Sequence, residues 1–143
     1  MIVSVAAMDD SPVSILCVID DDPVYQYTVK RHVLNSNLAQ RLQVFEDGEA
    51  AIEHFRAHVR DVEELPDIIL LDINMPVMDG WTFLEEFVKL RPDLAKDIVI
   101  YMVSSSIHDS DLDRARSISQ LSGYFIKPIS ERELRTMIER PKG

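Results

Sequence analysis

The chain has 143 residues, 46% of them hydrophobic and 28% charged, which suits one domain whose core needs no disulfide or metal to hold it. Lysine and arginine number 15 against 25 aspartates and glutamates, a net charge of −10 that repels a phosphate backbone and sets direct nucleic-acid binding aside. The single cysteine, Cys17, excludes a disulfide framework and a thiolate cluster for zinc.

Residues 1–13 are small, acidic and interrupted by Pro12, and read as a flexible arm ahead of a domain over 14–140 and a short tail, 141–143. Ser14–Ile19 is a nearly continuous apolar run of the kind that forms a strand covered on both faces, with Cys17 as a small buried hydrophobe inside it. The acidic triplet Asp20–Asp21–Asp22 ends it, and Asp22 with Pro23 suits the start of a helix. Val24–Leu34 then offers Val24, Tyr27 and Leu34 at helical spacing, closed by Asn35–Ser36–Asn37.

The unit repeats. Arg41–Phe45 is a second strand whose polar alternation points to an edge or a less buried place, followed by a turn at Asp47–Gly48 and a helix over Glu49–Val59 with Ala50, Ala51, Phe55 and Val59 as its stripe. Ile68–Leu71 is a strongly buried strand ending on Asp72, and Trp81–Leu90 a helix with Phe83, Leu84, Phe87 and Val88 on one side, stopped by Pro92. Ile98–Val103 is a β-branched strand running into Ser104–Ser105–Ser106. A helix over Leu112–Leu121, a strand over Gly123–Ile126 and a helix over Glu131–Arg140 complete the chain.

Five strand–helix units imply a parallel sheet with helices on both faces, a three-layer α/β/α fold. Such sheets bind ligands beyond the carboxyl ends of their strands. Those ends carry Asp20–Asp22, Asp72, Ser104 and Lys127. Asp21 and Asp72 brought together repel one another without a cation, and a hard divalent ion such as Mg²⁺ takes carboxylate oxygens while keeping several waters. Asp20 suits a more distant place, through water or by positioning Lys127. The plainer reading is that the three aspartates only cap the first helix and face solvent. No histidine joins them: His32, His54, His58 and His108 fall in helices or a loop. With four glycines in the whole chain there is no glycine-rich phosphate loop.

From Ser14 to Arg140 the chain resembles a receiver domain of the two-component response regulators, of the stand-alone, chemotaxis-regulator type. The resemblance rests on Asp20–Asp21 after strand one, Asp72 within Leu70–Gly80, Ser104 after strand four and Lys127–Pro128 after strand five. It implies a five-stranded (βα)5 flavodoxin-like fold with strand order 2-1-3-4-5. It also implies Asp72 as phosphoacceptor, with Mg²⁺ (or Mn²⁺ in its place) held by Asp21, Asp72 and the backbone carbonyl of Asn74, and by Asp20 through a water. Lys127 would pair with the phosphoryl group and Ser104 would hydrogen-bond to it, with Ser105 or Ser106 taking that role if the strand register slips. Tyr124 stands where the family has its aromatic switch residue, although an aromatic in a strand is commonly plain packing. Pro128 would follow a cis peptide bond and Gly80 would permit the tight turn after the phosphoacceptor.

The implied partners are a sensor histidine kinase or histidine phosphotransfer protein and a downstream protein effector, with a homodimer as a further option. No DNA-binding or membrane role is expected. Met1 to Pro12 has no basic region to make a secretory signal, and no apolar stretch approaches about 20 residues, so the expected location is cytoplasmic. About sixteen residues follow Lys127, room for one helix and no effector domain, and their alternating charges read as a solvated face. Mg²⁺-dependent phosphorylation from phosphodonors and autodephosphorylation would belong to the switch, making the chain no dedicated enzyme. Two other readings stay open: an unphosphorylated receiver-like adapter, and an aspartyl-phosphate phosphohydrolase. The second is disfavoured by Asn74, which stands where such enzymes carry a second aspartate.

Overall fold

The computed structural model describes residues 2–4, 13–105 and 108–139. The apolar runs become strands: β1 (Ile2–Ser4), β2 (Val13–Ile19), β3 (Ala39–Phe45), β4 (Ile68–Leu71), β5 (Val99–Ser104) and β6 (Leu121–Ile126). The helices are α1 (Pro23–Ser36), α2 (Gly48–Ala57), α3 (Gly80–Leu90), α4 (Asp109–Arg116) and α5 (Glu131–Glu139), with a 3-10 turn at Arg91–Asp93 where Pro92 ends α3. Across the sheet the order is β1-β3-β2-β4-β5-β6. All neighbours from β3 to β6 pair in parallel. Numbered among themselves, these five parallel strands run 2-1-3-4-5, the (βα)5 flavodoxin-like arrangement.

Alternation along β2 builds the layers. Leu16 and Val18 face one core with Val29 and Val33 of α1 and Leu134, Met137 and Ile138 of α5. Cys17 and Ile19 face the other with Phe55 of α2 and Phe83 and Phe87 of α3. Successive side chains of a strand point to opposite faces, so a strand buried on both sides must be apolar throughout.

Four expectations need correcting, besides Ala50 of α2 and Val88 of α3, which are exposed and take no part in the buried stripes of their helices. Residues 1–13 do not form an arm throughout. Ile2–Ser4 pairs antiparallel with Arg41–Gln43, and Val13 already belongs to β2, while residues 5–12 lie outside the described ones. β3 is therefore covered on its outer side, and it begins at Ala39. Its Gln43 is buried because its amide donates to the carbonyl of Glu64 at 2.8 Å.

The third correction concerns α1. Val24 and Tyr27 are 72% and 62% exposed, and the buried stripe is Tyr25, Val29 and Val33. Two apolar stripes at the same period compete in this segment, and only contact with the sheet selects one. The fourth is α4, which runs over Asp109–Arg116 and not over Leu112–Leu121. Asp109 and Asp111 suit its positive N-terminal end, and the Ser117 hydroxyl donates to the Arg114 carbonyl to close it. Ile118 and Leu121 continue the apolar spacing, but they pack from tight turns and from β6.

Candidate functional site

Three of the four parallel ladders continue one residue past a strand, and this carries polar residues to one end of the sheet. The Asp20 amide donates to the Phe45 carbonyl (2.9 Å), that of Asp72 to Ile19 (3.0 Å) and that of Lys127 to Ser104 (2.9 Å). Carboxylate oxygens of Asp20, Asp21 and Asp72 thereby lie within 4.8 Å of one another. Asp20 and Asp72 are buried and Asp21 is exposed. The cap of α1 falls to Asp22 alone, whose Oδ1 accepts from the Val24 amide at 2.9 Å. Helix capping therefore explains one member of the triplet and leaves two facing Asp72.

Each carboxylate oxygen of Asp20 has a neighbour. Its Oδ1 accepts from the Asp22 amide at 2.9 Å, and its Oδ2 pairs with the Lys127 ammonium at 2.6 Å. Burial raises its carboxyl above the ordinary range, against the lowering by Lys127 and the Asp22 amide. Asp72 accepts from the Ile73 amide through Oδ1 (2.9 Å), while its Oδ2 is 3.9 Å from Lys127 Nζ and has no closer cation among the described residues. Burial first, then the charges of Asp20 and Asp21, push the Asp72 carboxyl up to about 6 despite Lys127 and the Ile73 amide.

Lys127 reaches this position from the residue before a cis proline, Pro128. Its cation also lies 4.5 Å from the centre of the Tyr25 ring. Ser104, wholly buried at the end of β5, has a hydroxyl with no hydrogen-bond partner among the described residues. A buried hydroxyl in that state costs about 1–3 kcal/mol unless a further acceptor arrives. Ser105 beside it is exposed, and Ser106 lies outside the described residues. Tyr124 is half-buried in β6 beside a groove of about 350 Å³ formed with Leu112 and Ala115 of α4. Its hydroxyl is buried and unpartnered, and burial with the charges of Asp111 and Asp72 pushes it up to about 12.

The loop after Asp72 is tightly drawn. The Gly80 amide donates to the Ile73 carbonyl at 2.7 Å, and a Cβ on Gly80 would stand 2.4 Å from the Asp72 carbonyl oxygen, so no other residue fits. Val77 adopts a left-handed backbone (φ 66°), a costly conformation for a β-branched side chain. Asn74 is exposed at the start of this loop.

The donor set suits a hard divalent ion: three carboxylates, no sulfur or imidazole, and one ammonium facing them. The profile of the response regulator receiver domain family matches residues 16–139. The chain belongs to that family. Among curated proteins, this receiver is 28% identical over 128 residues to the probable methanogenesis regulatory protein FilR2 of Methanothrix harundinacea, covering 90% of this chain and 81% of FilR2. It is 31% identical to the DNA-binding transcriptional regulator NtrC of Escherichia coli over 88% of its own length, yet spans only 24% of NtrC. A response regulator receiver protein from Dyadobacter fermentans superposes with a TM-score of 0.75 at 28% identity, covering 89% of this chain and 96% of that one. A two-component response regulator from Cytophaga hutchinsonii shares the fold (TM-score 0.77, 23% identity, 87% and 93% covered).

The acidic cluster and the receiver fold together fit phosphoacceptor signalling. Tyr25 is the site residue that sequence reasoning passed over. Its signal was present, since Tyr25, Val29 and Val33 follow one another at four-residue steps, but the competing stripe through Val24 and Tyr27 obscured it. Among the described residues no helix is long and apolar enough to cross a membrane.

Proposed function

We propose that Asp72 accepts a phosphoryl group from a phosphohistidine on a sensor kinase or phosphotransfer protein, and that the resulting charge alters a surface read by a protein partner. The observation that carries this reading is the placement of Asp72 Oδ2, 3.9 Å from the Lys127 ammonium and clustered with Asp20 and Asp21. A carboxylate attacks phosphorus poorly while like charges face it, so compensating cations are required. Mg²⁺, or Mn²⁺ in its place, would supply charge compensation at the phosphoryl oxygens. Asp21 and Asp72 would hold the ion directly with the Asn74 carbonyl. Asp20, whose two oxygens are already engaged, would reach it through water.

In the transfer Asp72 Oδ2 forms the new O–P bond as the P–N bond to histidine breaks, and the imidazole keeps the electron pair. Lys127 can move from Asp20 onto a phosphoryl oxygen, being a mobile point charge on a flexible stem. The unpartnered Ser104 hydroxyl is a donor available to another of those oxygens, a charge-assisted bond of about 1.5–3 kcal/mol. Drawing Ser104 inward would free space that Tyr124 could enter, changing the face made by α4 and β6.

Incubation with Mg²⁺ and acetyl phosphate, read by intact mass, tests the assignment. Wild type is expected to gain one phosphoryl group that hydroxylamine removes, and Asp72→Asn none. A hydroxylamine-stable adduct, or one mapped to serine, would contradict it. An unphosphorylated adapter predicts no adduct under any of these conditions.

A further inference from the structure

Tyr25 lies in the first turn of α1, 6% exposed, with its ring 4.5 Å beneath the Lys127 ammonium. The cation therefore has three neighbours: Asp20 at 2.6 Å, Asp72 at 3.9 Å and an aromatic face. A lysine stem has four rotatable carbons, and an ion pair to Asp20 alone would allow many poses, most of them out of reach of Asp72. An aromatic face attracts a cation anywhere above it and consumes none of its three N–H donors. Lys127 can thus slide between Asp20 and Asp72 without being released into solvent. The Tyr25 hydroxyl has no partner among the described residues, so the ring, more than the hydroxyl, accounts for its presence there.

We propose that Tyr25 is a positioning residue for phosphoryl transfer, its ring holding the Lys127 ammonium where Asp20 and the phosphoryl group on Asp72 are both within reach. This inference rests on the phosphoacceptor reading of Asp72. It assigns Tyr25 no contact with the reacting atoms.

The test compares Tyr25→Leu with Tyr25→Phe in the full chain by two readouts. The first is the NMR position of the Lys127 methylene protons next to Nζ, identified by their loss in Lys127→Ala. Ring current is expected to move them upfield in wild type and Tyr25→Phe, and to ordinary positions in Tyr25→Leu. The second is the rate of phosphorylation by acetyl phosphate at saturating Mg²⁺. Tyr25→Leu is expected to be about 3- to 10-fold slower, with Tyr25→Phe restoring the wild-type rate to within about twofold. Tyr25→Met, whose flexible thioether fills irregular space, repeats the comparison should leucine disturb the core.

Unshifted Lys127 protons in wild type would overturn the inference. So would a folded Tyr25→Leu or Tyr25→Met protein phosphorylated at the wild-type rate. Wild type that resists acetyl phosphate while keeping the upfield shift would instead bring down the phosphoacceptor reading, and the role of Tyr25 with it.

Discussion

The two sides of the sheet are built differently. β4 and β5 bury every residue, Ser104 included, and Asp72 just past β4 is buried with them. In β6 next door no residue is fully buried, and α4 buries only Ala115. Charged groups help tie α4 to the body: the Arg114 guanidinium lies over the Trp81 ring, 4.6 Å from its centre, and reaches Glu85 at 3.9 Å. Close packing fixes positions to fractions of an ångström, whereas exposed ion pairs are worth only about 0–1 kcal/mol. The receiver thus concentrates charge where the chain is rigid and places its least committed elements directly beside it. A local charge event can displace only what is cheaply displaced.

The largest expected effect tests the cost of assembling charge on the rigid side. Because the Asp72 carboxyl is raised to about 6, the folded chain keeps its proton over a range in which the unfolded chain has lost it. Stability therefore falls as pH rises from about 4 through 6, and the loss is complete above that. At pH 8 without divalent ions, Asp72→Asn is expected to stabilise the protein by on the order of 2 kcal/mol, about 5 °C in Tm. The gain should vanish near pH 4. Saturating Mg²⁺ should raise the melting temperature of wild type more than that of the variant. Melting series at the two pH values check the sign, and a variant less stable than wild type at pH 8 would break the comparison.

Ser104→Ala comes next, with two opposed consequences. Removing an unpartnered buried hydroxyl should leave the unphosphorylated protein at least as stable, by up to about 1 kcal/mol in urea titration. The variant should still phosphorylate on Asp72, yet lose about 1–2 kcal/mol of coupling to α4 and β6, seen as a shifted population in NMR spectra. Destabilisation of more than about 1 kcal/mol would mean the hydroxyl already has a partner.

Arg114→Ala is the mildest and probes the loose side alone. Loss of the guanidinium over Trp81 should cost about 0.5–1 kcal/mol at this half-exposed position. It should also change the fluorescence of Trp81, the single tryptophan, and leave Asp72 phosphorylation at the wild-type rate. A large fall in that rate would show the two sides to be less separate than their burial indicates.

The same contrast governs what the sequence revealed. Strands buried on both faces announced themselves as unbroken apolar runs, and their polar terminators, Asp20, Asp72 and Ser104, followed directly. α4 was misplaced, and β6 was found but begun two residues late, because their weakly buried residues leave periodicity little to report. Leu121 fits a helical spacing as well as a strand. α1 was placed correctly, but the apolar residues picked out in it, Val24, Tyr27 and Leu34, are the exposed ones, since only the sheet decides between them and Tyr25–Val29–Val33. The pairing of Tyr25 with Lys127, about a hundred residues apart, exists only in the folded chain. Ile2–Ser4 is too short to show any period and owes its strand to the open edge of β3.

Amide hydrogen exchange before and after phosphorylation of Asp72 tests the central claim most directly. Protection should change across Asp109–Ile126 and remain within error along β2 and β4, and Ser104→Ala should blunt the change without abolishing phosphorylation. Equal changes on both sides of the sheet, or none in α4 and β6, would contradict the account.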